Sequence, residues 1–302
     1  MTSAANRILA LAAFGFLWLG GAALAASAPP FASADQAVDA LIAAVRSDDA
    51  AAIERVLGRG SAKLVNSGDD VADKTDRAAF IAAYDAKHSL APQGEAASLT
   101  VGAADIPFPI PLRKEAAGWR FDPRAGAERI LERRIGRNEL DAIETCRAIV
   151  DAERDYASDL RAGAGFAEYA RHFMSRPGKT DGLYWPVAAG APASPLGPLV
   201  AEARAQGYSG RHAPYHGYYY KLLLRQGPHA PGGARDYIVK GHMIGGFAVV
   251  AYPAKWNDSG VMTFIVNQDG TVMQRNLGPD TARVAAQMTR YDPDPAWTAA
   301  AR

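Results

Sequence analysis

Histidine is the side chain best suited to proton transfer near neutral pH. Four of the six histidines in this chain fall between positions 212 and 242. They are His212, His216, His229 and His242, and Tyr215, Tyr218, Tyr219, Tyr220 and Asp236 share the interval. Metal ligation would need three or four of these groups converging at about 2.1 Å. Their spacing matches no zinc pattern, and Pro214 with Gly217 argues against a helix that would align His212 and His216. No metal and no cofactor is expected. Hydrolysis is the other chemistry open to them, with His216 or His229 as general base and a tyrosine or Asp236 as its orienter. A serine nucleophile is not signalled, because Ser209 and Ser259 lack the Gly-x-Ser-x-Gly frame.

The aromatic residues allow a third reading. Trp185, Tyr215 and Tyr218, with His216, His229 and Asp236, would suit a contact surface for a glycan or peptide if they were exposed. Buried, the same rings are ordinary core. Two further groups read as structural. Asp85 and His88 suit a solvated helix end better than an acid–base pair. Cys146, the only cysteine, allows no intrachain disulfide; it lies on an apolar helix face and reads as a small buried hydrophobe.

The elements that would position these groups follow from periodicity. Asn138–Leu160 carries Leu140, Ile143, Cys146, Ile149, Val150, Tyr156 and Leu160 at helical spacing. It reads as the spine of a second domain, capped at Asn138, with a domain boundary at Gly136–Asn138. Before it, Ser33 and Asp49 cap two short helices, Thr75 or Asp76 opens a third, and Arg124–Arg137 is a fourth. Strands are expected at 98–102, 106–114 and 118–122; the prolines at 107, 109 and 111 confine the middle one to an edge. After the spine come a helical piece at 163–176, a Pro-rich loop at 186–198 and a short helix at 199–206. Strands at 217–226, 247–253, 260–267 and 271–276 follow, the last pair joined at Asp269-Gly270. The uncharged strand 247–253 should be covered on both faces, by the spine and by the 186–198 loop. Met262, Phe264 and Val266 are expected to face inward. The fold class is α+β: a cone of helices and bent sheet (26–137), then a long helix on a four-stranded antiparallel meander (138–302).

Address is read from the first 25 residues. Ile8–Gly21 is an apolar run, and Ala23-Leu24-Ala25 supplies the small residues of a cleavage site. A secretory signal peptide cleaved after Ala25 and a periplasmic location are expected, with no membrane span thereafter. Arg7 is the one charge in this leader, so the mature chain has 32 basic and 32 acidic residues. That balance offers no basic surface for nucleic acid.

Three resemblances add to this. Helices followed by a bent sheet ending in Gly118–Asp122 (GWRFD) resemble nuclear-transport-factor-like cone domains, as does the opening FASADQAVDALIAAVRSDDAAAIERVL. The segment NELDAIETCRAIVDAERDYASD, with the later SGVMTFIVNQDGTV, is similar to the globular part of type IV pilins and pseudopilins. The charged ILERRIGR before it cannot line a pilus core, so that likeness implies fold and not assembly. At whole-chain level, FPIPLRKEAAGWRFD, PGKTDGLYWP, PYHGYYYKLL, GPHAPGGARDY and GGFAVVAYPAKW resemble the domain-of-unknown-function family numbered 2950, which implies export and architecture. The reading that results is an exported non-enzymatic envelope protein that binds or scaffolds a protein or cell-wall glycan. The alternative is a periplasmic hydrolase with a His/Tyr/Asp site in its second half.

Overall fold

The computed structural model describes residues 30–158, 166–188, 190–209 and 213–300. The expected leader, Leu160 and His212 lie outside the described residues. Helices α1 (Ala34–Arg46) and α2 (Ala50–Leu57) start where the sequence signals them. Ser33 Oγ accepts the Gln36 N–H at 3.1 Å, and Asp49 accepts that of Ala52. A single turn, α3 (Ala62–Val65), follows. Helix α4 (Asp70–Ala86) begins earlier than expected because Asp69, not Thr75 or Asp76, is its cap.

The first sheet holds β1 (His88–Gln93), β2 (Ala96–Val101), β3 (Ile106–Pro107), β4 (Leu112–Glu115) and β5 (Gly118–Phe121). Its order is β1-β2-β4-β5, with β3 on β2 beside β4. The proline segment therefore yields only a two-residue strand, as its missing N–H donors dictate. The first core gathers Leu41, Ile42, Leu99, Leu112 and Phe121 between sheet and helices.

Helix α5 (Pro123–Ser158) is one unbroken element of 36 residues, about 54 Å long at 1.5 Å per residue. The boundary expected at Gly136–Asn138 falls in its interior. Gly136 costs a helix about 1 kcal/mol relative to Ala, which the surrounding Arg, Glu, Ala and Leu residues outweigh. Asn138 is no cap; its amide donates to the Ser259 carbonyl at 2.9 Å. The true start is Pro123 at the first helical position, with Asp122 accepting the Ala125 N–H. Gly126 is required there, since a Cβ would lie 2.1 Å from the Pro109 carbonyl oxygen. Of the expected apolar face, Ile143, Cys146, Ile149, Val150 and Tyr156 are buried, whereas Leu140 is 62% exposed.

Residues 166–176 are not helical. Their backbone groups are taken by other elements: Tyr169 N–H donates to the Met243 carbonyl and Ala170 N–H to Glu153. The remaining elements are α6 (Gly197–Ala205), β6 (Tyr218–Leu223) and two small hairpins, β7 (Arg225–Gln226) with β8 (Arg235–Asp236) and β9 (Ile238–Val239) with β10 (His242–Met243). Strands β11 (Ala248–Pro253), β12 (Met262–Asn267) and β13 (Met273–Asn276), helix α7 (Thr281–Gln287) and β14 (Thr298–Ala299) complete the chain.

The second sheet has the order β14-β13-β12-β11-β6, so the expected meander gains a fifth strand and keeps β11 and β12 central and antiparallel. Tyr220, Ala251 and Phe264 lie opposite one another across three strands. Tyr220 borders the same cavity as Thr145 and Ile149 of α5, so this face, with Met262 and Val266, is turned toward the helix. The opposite face is covered by α7 and the C-terminal segment, not by the 186–198 loop. Ile265 lines a concavity there with Val284, Met288 and Trp297, and Lys221 Nζ caps α7 by donating to the carbonyls of Ala285 and Ala286.

Candidate functional site

One stripe of α5 organises the polar contacts between the two halves. Arg134, Asn138, Asp141 and Thr145 follow one another at spacings of four, three and four, so they share a face. Arg134 donates to the carbonyls of Lys63 and Leu64 and to Asp258, the last at 2.7 Å. Asn138 holds the Ser259 carbonyl. Asp141 Oδ2 lies 3.4 Å from His216 Nδ1, and Thr145 borders an apolar cavity.

Asp69 ties the first half to the loop that carries His216. Its Oδ1 caps α4, while its Oδ2 accepts the Tyr208 hydroxyl at 2.9 Å and the Gly217 N–H at 2.8 Å. Gly217 has φ +73° and sits so close to Asn138 that a Cβ would lie 2.5 Å from its amide nitrogen. His216, at φ +50°, adopts a left-handed conformation unusual for a residue with a side chain. Packing on both sides fixes this bend.

Two concavities meet at Tyr208. A polar cleft of about 270 Å³ is lined by Asp76, Arg137, Asp141, Gln206, Tyr208 and His216. An apolar cavity of about 250 Å³ lies on the other side, between α5, α6 and the 173–174 segment, with Ile149, Phe173, Leu196, Leu199, Val200 and Tyr215 in its wall. Arg204 also borders it, its guanidinium 5.1 Å from the centre of the Tyr184 ring. The Tyr220 hydroxyl is buried beside Thr145 without a hydrogen bond of ordinary geometry.

The electrostatics favour neutral groups. Burial pushes the Tyr215 phenol up to about 12, helped by Glu202 and Asp141. Burial, then Asp69, pushes Tyr208 up as well. Burial also raises Asp141 above the usual carboxylate range, against the opposing pull of His216 and Arg137. Both tyrosines are therefore hydrogen-bond donors at neutral pH and not nucleophiles.

The residues singled out from sequence do not form one surface. Tyr215 lines the cavity and His216 the cleft, their rings 4.2 Å apart. Trp185 is half-buried against the second core. Tyr218 is 0% exposed, donating its hydroxyl to the Met262 carbonyl, so it is core and no contact residue. His229 and Asp236 lie beyond the far end of β6, roughly 17 Å along the strand at 3.3 Å per residue. Asp236 pairs with Arg225, and the orienter of His229 is Asp292, whose Oδ1 accepts from both the backbone N–H and Nδ1 at 3.0 Å. Asp236 therefore orients neither histidine of the expected hydrolytic site.

Asp85 pairs with Arg46, and His88 begins β1, stacked on Tyr84 and donating to its carbonyl. Cys146 is fully buried, which pushes its thiol up to about 12. Sequence reasoning missed Asp69, Tyr208 and the Asp141–His216 pair. The polar residues repeating every three or four positions through α5 would have signalled the stripe had the helix been read as continuous. Among the described residues no three His, Cys, Asp or Glu side chains converge for a metal, and no helix is long and apolar enough to cross a membrane.

Compared with known families, residues 29–300 match the model described as "Protein of unknown function (DUF2950)". No curated protein and no solved structure matches the chain.

Proposed function

We propose, on the premise that this chain belongs to the DUF2950 family, that it is an exported, non-enzymatic protein that binds a small, largely apolar molecule. The apolar cavity between α5 and α6 carries the reading. Hydrophobic walls with a few convergent polar groups are the usual form of a small-molecule site, and here Tyr208, Tyr215 and Arg204 are those groups. Export is supported by the apolar run Ile8–Gly21 and the small residues that follow it. A protein or glycan of the envelope is the weaker partner, because the aromatic residues are divided between core, cavity and rim.

The test is binding of an apolar fluorescent dye to the wild type and to Ala203→Trp, which fills the cavity from α6. Saturable binding that the tryptophan abolishes is expected; equal binding by both proteins would overturn the reading. Amino-terminal sequencing of the protein recovered from cells should begin at Ala26, and an intact Met1 would refute export.

The His216–Asp141 pair favours a second reading, a hydrolase in which His216 activates water. Its neighbouring tyrosines are held neutral, so no activated side-chain nucleophile supports it. A broad ester, amide and glycoside screen of wild type beside His216→Ala decides this, since activity lost in the variant would establish the enzyme.

A further inference from the structure

We propose that the ligand of this cavity is an anionic amphiphile, an aliphatic chain of about nine or ten carbons ending in a carboxylate held by Arg204. The inference rests on the binding reading above and adds the chemistry of the ligand. Its basis is a contrast among the cations around the site. Arg134 is committed to Asp258, Arg137 to Asp76, and His216 faces Asp141. Arg204 has no carboxylate partner among the described residues; its guanidinium rests on the Tyr184 ring and borders the cavity. An arginine stacked on an aromatic face keeps its planar fork of donors free for a bidentate oxyanion.

Position supports the same end. Arg204 is exposed and lies in the last turn of α6, while Leu196, Leu199 and Val200 of the same segment line the interior with Ile149. A ligand whose head meets Arg204 would thus lay its tail along that aliphatic wall. Size sets the chain length: a cavity of ~150 Å³ takes the six carbons of benzene, so one of about 250 Å³ takes about ten.

The experiment measures binding of decanoate, 1-decanol and decyltrimethylammonium to the full chain by calorimetry at low salt, below their micelle concentrations. Decanoate should bind at least about fivefold tighter than decanol, with the ammonium weakest, and salt should narrow the gap. Arg204→Gln should abolish the preference, so that decanoate and decanol bind that variant equally; Arg204→Lys should keep part of it. Decanoate binding no tighter than decanol, or a preference surviving in Arg204→Gln, would overturn the anionic ligand while leaving the apolar site intact. Binding of none of the three probes would overturn both. Arg204 is exposed, so folding of the variants is not at issue, and matching thermal melts confirm it.

Discussion

Arg134 and Asp258 stand 124 positions apart in the chain and meet at 2.7 Å, with side chains only 9% and 5% exposed. The guanidinium also donates to the carbonyls of Lys63 and Leu64, so one side chain of α5 ties the α3 turn to the loop before β12. Burial outweighs the arginine's attraction and leaves the Asp258 carboxyl above its usual range. Removing one member of such a pair strands the other charge in a dry site. Arg134→Ala should therefore cost about 3–5 kcal/mol, measured by urea unfolding. A loss below about 1 kcal/mol would show that the two halves are held elsewhere.

Glu153 makes stability depend on pH. The residue is 0% exposed; one oxygen accepts the Ala170 N–H at 2.8 Å and the other has no hydrogen-bond partner among the described residues. Burial pushes its carboxyl up to about 8 from an ordinary 4.5, the Ala170 bond opposing only in part. The folded protein therefore keeps a proton that the unfolded chain releases. This contribution is fully present below pH 4.5 and is lost as pH rises to about 8, amounting to a few kcal/mol. Urea midpoints between pH 5 and 8 should fall for the wild type more than for Glu153→Gln, which stays neutral throughout. Parallel curves would mean that Glu153 is ionised in the fold.

Phe264 is 0% exposed at the centre of the second sheet, its ring 5.8 Å from that of Tyr218. Phe264→Ala should cost about 3–5 kcal/mol through lost burial and the cavity left behind. A change below 1 kcal/mol in a denaturant melt would contradict the assigned face.

Cys146, fully buried with its thiol raised to about 12, has neither access nor thiolate character. A thiol-specific disulfide reagent at pH 8 should label the native protein at least ~10³-fold more slowly than the denatured chain, because labelling waits on an opening that costs several kcal/mol. Equal rates would place the thiol at the surface.

Local chemistry made much of this fold legible. Ser33 and Asp49 cap helices by their own hydroxyl and carboxylate, and Ala248–Pro253 is uncharged because both its faces are covered. What escaped was decided by distant residues. Gly136 followed by Asn138 is a local stop-and-start signal, but the Asn138 side chain is used by Ser259 on the other side of the molecule. Asp69 was invisible as a site residue because its partners, Tyr208 and Gly217, lie 139 and 148 positions away. Residue type alone groups Tyr218 with Tyr215 and His216, although it is buried, since alternation in an aromatic strand does not say which face is wet.

The continuity of α5 gives the molecule a fixed angular phase. Each residue inserted or deleted between Arg134 and Thr145 would turn one end of the helix by about 100° relative to the other. Arg134 would then leave its carbonyls, or Thr145 its cavity, although no contacting side chain had changed. Even a seven-residue insertion, which nearly restores the angle, would move the ends apart by about 10 Å. In α5 length itself is a specification: deleting Gly136, where an added Cβ would meet open space, should disrupt the protein more than replacing it with alanine.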